Sequence, residues 1–114
     1  MFSDFKNKGI YIKAKELYER ISSCLSGEVP YVLKDQIIRS SISIILNFSE
    51  GYGRFSKNDK KHFYITARAS LNETVACFDL IQIHTKIKQV EYDKITGLFD
   101  ELYKMLSGLI NSHK

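Results

Sequence analysis

A chain of 114 residues that is 44% apolar and 26% charged is long enough for one hydrophobic core, too short for two, and too apolar to stay disordered. One proline and six glycines exclude a fold of many short strands and tight turns, two cysteines make no disulfide framework or metal knuckle, and no apolar run approaches the roughly 20 residues that cross a bilayer. The net charge is +4, and the fifteen residues from Arg54 to Arg68 hold five bases (Arg54, Lys57, Lys60, Lys61, Arg68) against one acid, Asp59, so the whole excess lies there. The N-terminus, Met1-Phe2-Ser3-Asp4-Phe5, lacks the charged start and apolar run of a signal peptide, and a reduced, cytoplasmic protein is expected, without a membrane partner.

Four segments carry helical periodicity. In the first, Ile10, Ala14, Leu17, Ile21 and Leu25 recur at steps of three and four while Lys13, Lys15, Glu16, Glu19 and Arg20 fall elsewhere, and Ser26-Gly27 supplies a stop. Pro30 opens the second, where a missing backbone N–H costs least. Its stripe is Leu33, Ile37, Ile44, Phe48 and Tyr52, widened by Ile38, Ile42 and Ile45. The isoleucines suggest a strand, but residues 36–47 do not alternate at period two, so a helix buried on more than one side is expected. Ser56 and Asp59 form a capping-box pattern with Asp in place of Glu. The third stripe follows, Phe63, Ala67, Ser70, Leu71, Thr74, Phe78 and Ile81, with Lys86-Ile87-Lys88 expected to close the helix at its negative end. The fourth starts near Glu91 and carries Ile95, Leu98, Phe99, Leu102, Met105, Leu106 and Leu109, with Asn111 to Lys114 expected to fray. Connections of about five, three and three residues force antiparallel neighbours. The fold class expected for residues 1–114 is a single all-α domain, an antiparallel up-down-up-down four-helix bundle.

One pattern exceeds the needs of a lone bundle. Gln36, Arg39, Ser43, Asn47, Glu50 and Arg54 recur along one face of the second helix. With apolar residues on both sides, part of this stripe is expected to be buried or at an interface, where charges must be paired. Glu50 and Arg54 are an i, i+4 pair. In the hairpin centred on Phe55, Arg39 lies sixteen residues before and Glu73 eighteen after, which makes Glu73 a candidate partner for Arg39, and Arg39, Glu50 and Glu73 are expected to be at least half buried and ion-paired within or between subunits. Small residues Ser40, Ser43, Ala67, Ala69 and Ser70 allow a close approach. More apolar surface on helices two and three than one core requires points to a cyclic homo-oligomer.

The segment Leu33 to Ile44 resembles a signature L-x-x-Q-i-x-R-a-x-x-S-I, Asn47-Phe48-Ser49-Glu50-Gly51-Tyr52-Gly53-Arg54 resembles N-I-A-E-G-x-G-R, and Phe63 to Glu73 resembles F-L-x-x-A-x-G-S-x-x-E. Ala14-Lys15-Glu16-Leu17 is similar to A-x-E-L. These are marks of the four-helix-bundle family encoded within intervening sequences of bacterial 23S rRNA genes, and the resemblance covers nearly the whole chain. Ala69 stands where that family usually has glycine, and Ile45 where proline is common. The resemblance implies a homopentameric barrel. It also implies kinship with the accessory protein of diversity-generating retroelements, a basic pentamer that binds nucleic acid and a reverse transcriptase.

Enzyme chemistry finds little to stand on. Glu50-Gly51-Tyr52-Gly53 lacks the Gly-Lys-Ser/Thr of a phosphate loop. Asp59-x-x-His62 is a single element of the four that a di-metal bundle needs, and lysines surround it. His84 and His113 are isolated, Ser40, Ser41 and Ser43 have no histidine beside them, and Cys24 and Cys77 read as small core residues. No catalytic residue, metal or cofactor is expected. The binding reading is stronger: a cyclic oligomer repeats Arg54, Lys57, Lys60, Lys61 and Arg68 as a ring that attracts RNA or single-stranded nucleic acid without sequence readout. Phe55 and Tyr52 are rings beside it that a base stacks on, although packing is the simpler role for each. The rival reading is a scaffold whose basic ring docks an acidic protein such as a reverse transcriptase.

Overall fold

A computed structural model describes residues 4–113. A short 3₁₀ turn, Asp4–Asn7, leads into α1 (Gly9–Cys24), α2 (Tyr31–Tyr52), α3 (Lys57–Ile81) and α4 (Gln89–Ser112). The four helices pack as a bundle of 44 × 25 × 25 Å. Each helix lies against its two neighbours in a closed ring, α1 on α2 and α4, α3 on α2 and α4. Cross-helix contacts run in opposite chain directions: Lys13 meets Glu101 while Arg20 meets Glu91, and Ser40 meets Thr74 while Ser43 meets Ser70. No helix among the described residues is long and apolar enough to cross a membrane.

Periodicity explains the core. Ile10, Ala14, Leu17 and Ile21 from α1 meet Ile37, Ile44 and Phe48 from α2, with Ile95, Leu98, Phe99, Leu102, Leu106 and Ile110 from α4. On α3 the buried row is Tyr64, Ala67, Leu71, Thr74, Phe78 and Ile81, at strict alternating steps of three and four. Phe63, expected in that row, is one position off it: it is half-buried, and the Arg54 guanidinium lies 4.8 Å from its ring centroid. Val29, in the α1–α2 connection, is also buried and donates its N–H to the Ser26 carbonyl.

The helix ends differ from expectation in two places. α3 stops at Ile81, not at Lys86–Lys88: the N–H groups of His84 and Thr85 both turn back onto the Ile81 carbonyl, at 2.9 and 3.2 Å. Beyond Ile81 no buried residue remains to hold another helical turn, so Lys86 and Lys88 sit in a connection of residues 82–88, longer than anticipated. α4 reaches Ser112, whose hydroxyl donates to the Leu109 carbonyl, so the expected fraying does not begin at Asn111. The expectations for Met1 to Ser3 and for Lys114 fall outside the described residues. At the α2–α3 turn, Ser56 accepts a hydrogen bond from the Asp59 N–H at 3.0 Å, the half of the capping box that satisfies an otherwise unpaired donor.

α2 and α3 make the most extensive contact in the molecule. Small side chains line it, and their hydroxyls bond across it. Thr74 Oγ1 lies 2.8 Å from Ser40 Oγ, and Ser43 Oγ lies 2.7 Å from Ser70 Oγ. Asn47 Nδ2 donates to both the carbonyl and the hydroxyl of Ser43, each at 2.9 Å. Gly51 completes the approach near the turn. A Cβ built there lies 2.8 Å from Tyr64 Cε1 and 2.9 Å from Phe63 Cβ, too close to exist without movement. The polar stripe therefore divides. Ser43 and Asn47 belong to the inter-helix seam, whereas Arg39 and Glu50 face outward.

The expected Arg39–Glu73 ion pair is absent. Glu73 accepts a hydrogen bond from Gln36 Nε2, and Arg39 Nε pairs with Asp35 at 2.9 Å. Counting explains the exchange: Gln36 lies nineteen residues before Phe55 and Glu73 eighteen after, a closer match in height than Arg39 at sixteen. Arg39 is also rotated outward, its side chain 74% exposed in the single chain, and Glu50 pairs with Arg54 at 2.7 Å on the same open surface. Neither pair is buried within the subunit. Ion pairs this exposed contribute about 0.5 kcal/mol or less.

Candidate nucleic-acid interface

The α2–α3 turn stands at the end of the bundle that also holds the start of α1 and the finish of α4. Six bases gather there, Lys6, Lys8, Arg54, Lys57, Lys60 and Lys61, against Asp4, Glu50 and Asp59. Sequence spacing found the turn cluster. It missed Lys6 and Lys8, which lie far away in the chain and arrive only because α1 begins where α2 ends. The opposite end is mixed in sign. There Arg20 Nη1 bonds both carboxylate oxygens of Glu91 at 3.1 and 3.0 Å while its Nε bonds Glu16 at 2.8 Å, a clamp between α1 and α4. Hydrogen bonds to Glu16 and Glu91 raise the Arg20 pKa further.

The five residues named as a basic site play different parts. Lys57 is exposed and Lys61 half-buried, and no hydrogen bond or ion pair holds either among the described residues. Arg54 is shared between Glu50 and the face of Phe63. Lys60 is engaged in structure: its Nζ donates to the Tyr52 carbonyl at 2.8 Å and approaches the Gly51 carbonyl at 3.4 Å, neutralising the negative end of α2. Arg68 is not at the turn. It sits about 16 Å along α3 from Lys57, donates to Ser107 Oγ at 3.1 Å and lies over the Tyr103 ring. The sequence window grouped it with the turn because charge along the chain carries no information about height on a helix.

Phe55 is fully exposed beside these cations, while Tyr52 is half-buried and stacks on Phe48 with ring centroids 6.1 Å apart. Of the two rings considered for base stacking, only Phe55 presents a free face. Burial pushes the pKa of Cys24 and Cys77 upward, away from thiolate. Among the described residues no group of three or more His, Cys, Asp or Glu is placed to hold a metal ion.

Fold and surface together define a small helical-bundle protein with a cationic end. The chain belongs to the 23S rRNA-intervening sequence protein family, whose profile matches residues 6–108. It is similar to a crystal structure of a protein of unknown function from the S23 ribosomal protein family of Bacteroides thetaiotaomicron VPI-5482, with a TM-score of 0.78 and 26% sequence identity over 89% of this chain and 97% of that one. No curated protein matches this chain.

Proposed function

We propose that this protein is a non-enzymatic, cyclic homo-oligomer that binds RNA or single-stranded nucleic acid through its cationic end. The observation that carries the reading is the meeting of Lys57, Lys61, Lys8 and Arg54 at one end of the bundle, the first three with no acid paired to them. Their partners are phosphates, which release condensed counterions when neutralised. Phe55 adds an exposed ring on which any base stacks. Contacts to phosphates and stacking on one ring carry no base readout, so the binding is independent of sequence.

The test is fluorescence anisotropy of labelled RNA and single-stranded DNA across a salt series. Affinity is expected to fall steeply as salt rises, with a log–log slope of about −0.7 for each phosphate neutralised. Joint Lys57→Glu and Lys61→Glu replacement is expected to abolish binding with the fold intact, since acids at the start of α3 suit its positive end. Lys60 is left in place because it caps α2. Reversal of Lys94 and Lys104 on α4 is expected to have little effect. Absence of binding at low salt, or equal loss in both double variants, overturns the reading and favours docking of an acidic protein.

Oligomerisation rests on the outer faces of α2 and α3. Ile65, Ala69, Asn72, Ala76, Leu80 and Ile83 form a continuous exposed row along α3 and its end, at steps of four, three, four, four and three. Val32, Arg39 and Leu46 stand seven apart on α2, with Val32 71% and Leu46 61% exposed. A row of this kind is covered by a second helix in coiled-coil packing, and the second copy of this chain is the occupant proposed. It also accounts for the outward Arg39 and Glu50, which become interface groups between subunits. A pentamer, the number that the family resemblance implies, brings five cationic ends to one rim. Sedimentation at micromolar concentration is expected to show the oligomer for the native chain and a 13.2 kDa monomer for Leu46→Glu, with unchanged helical circular dichroism. A native chain that sediments as a monomer overturns the assembly.

A further inference from the structure

A cavity of about 410 Å³ opens at the cationic end, between the start of α1, the finish of α2 and α4, and the first turns of α3. Its floor is apolar: Ile10, Phe48 and Tyr64 are buried, and Met105 and Leu109 are partly buried against the same core. Phe48 and Tyr64 stack with centroids 5.9 Å apart. Lys8, Lys60, Tyr52 and His113 also line it. Lys8 and Lys60 each bring Nζ to 5.6 Å from the Tyr52 ring centroid. Lys60 spends two donors on α2 carbonyls and keeps a third, while the Lys8 side chain has no hydrogen bond or ion pair among the described residues.

We propose that this cavity binds a free, unbranched aliphatic carboxylate, with its chain against Phe48, Tyr64, Met105 and Leu109 and its headgroup on Lys8 and Lys60. Size permits it, since the volume falls in the range of small-molecule sites. Charge complementarity selects it: Lys8 and Lys60 both line the cavity and no carboxylate does. The lining, polar only at the two lysines, Tyr52, Tyr64 and His113, disfavours a nucleobase, whose ring nitrogens and amines would lose water and find few partners. An aliphatic chain has no such groups to desolvate. The site shares Lys8 with the nucleic-acid reading, but Lys57 and Lys61 take no part in it, so the two are separable by variants at those residues.

The experiment is a titration of the native chain with hexanoate, octanoate and decanoate, followed by methyl NMR of Met105 and Leu109. Both sets of methyl signals are expected to shift, with affinity rising about fourfold per added methylene as each is buried. Decylammonium, with the same chain and the opposite charge, is expected not to shift them. Lys8→Glu, on an exposed residue ahead of α1, is expected to weaken decanoate binding at least tenfold. Equal binding of decylammonium, chain-length independence, or shifts confined to residues elsewhere overturns the proposal without any variant. If the carboxylates bind while labelled RNA does not, this site stands and the nucleic-acid interface falls; the converse result separates them equally well.

Discussion

Phe78→Ala is expected to cost about 3–5 kcal/mol. The ring is 4% exposed on α3, stacks on Tyr92 at 5.7 Å and meets Phe99 edge-on at 5.5 Å, and both partners lie on α4. Its removal leaves a void where the two helices are joined by aromatic packing, and flanking groups such as Ile81 and Ile95 are already fully buried. A domain of this size has about 5–15 kcal/mol of stability in total. Urea unfolding followed by circular dichroism is expected to show a midpoint at roughly half the native concentration. A midpoint within a tenth of native would show that α3 and α4 are held together by something other than these rings.

Gly51→Val is expected to cost about 3 kcal/mol, the upper part of the range for overfilling a packed contact. The nearest atoms to an added Cβ include Phe63 Cβ, which is fixed to its own backbone and cannot swing aside. α2 and α3 would have to separate near the turn, stretching the Lys60 cap as they do. Gly51→Ala is the informative companion. It makes the same first clash but regains about 1 kcal/mol of helix propensity, so its net loss is smaller. Thermal melts of the two variants read the graded effect, and a Gly51→Val chain as stable as native would mean that the helices do not approach here as described.

How much of this was visible in the chain depends on what each feature is made of. The helices were legible because Ile10 to Ile21 and Ile95 to Leu106 repeat at the period of a helix with nothing competing, although the last buried residue of α4 is Ile110 and not Leu109. The close approach at Gly51 was not, since a glycine near a helix end reads first as a stop signal. The α2–α3 seam was half legible. Ser40, Ser43 and Ser70 were evident as small residues, but their bonds to one another depend on rotation about the helix axis, which spacing fixes only to within a residue. The same uncertainty led to Arg39 rather than Gln36 as the partner of Glu73. In the charged cluster, sequence position identified Lys57 and Lys61, which make no hydrogen bond or ion pair among the described residues. It could not show that Lys60 caps a helix, that Arg68 faces α4, or that Lys8 joins from the other end of the chain.

The one-sided placement of charge has a dynamic consequence. A body 44 Å long with three of its four excess positive charges near one end carries an electric dipole along its axis. In the field of a polyanion such a body feels a torque before contact, and it arrives with that end leading. Orientation in advance of collision raises the fraction of encounters that succeed, so it acts on the association rate and fades as salt shortens the reach of the field. The flanks of α2 and α3, with the exposed Val32, Leu46, Ile65 and Leu80, lie to the side of that approach.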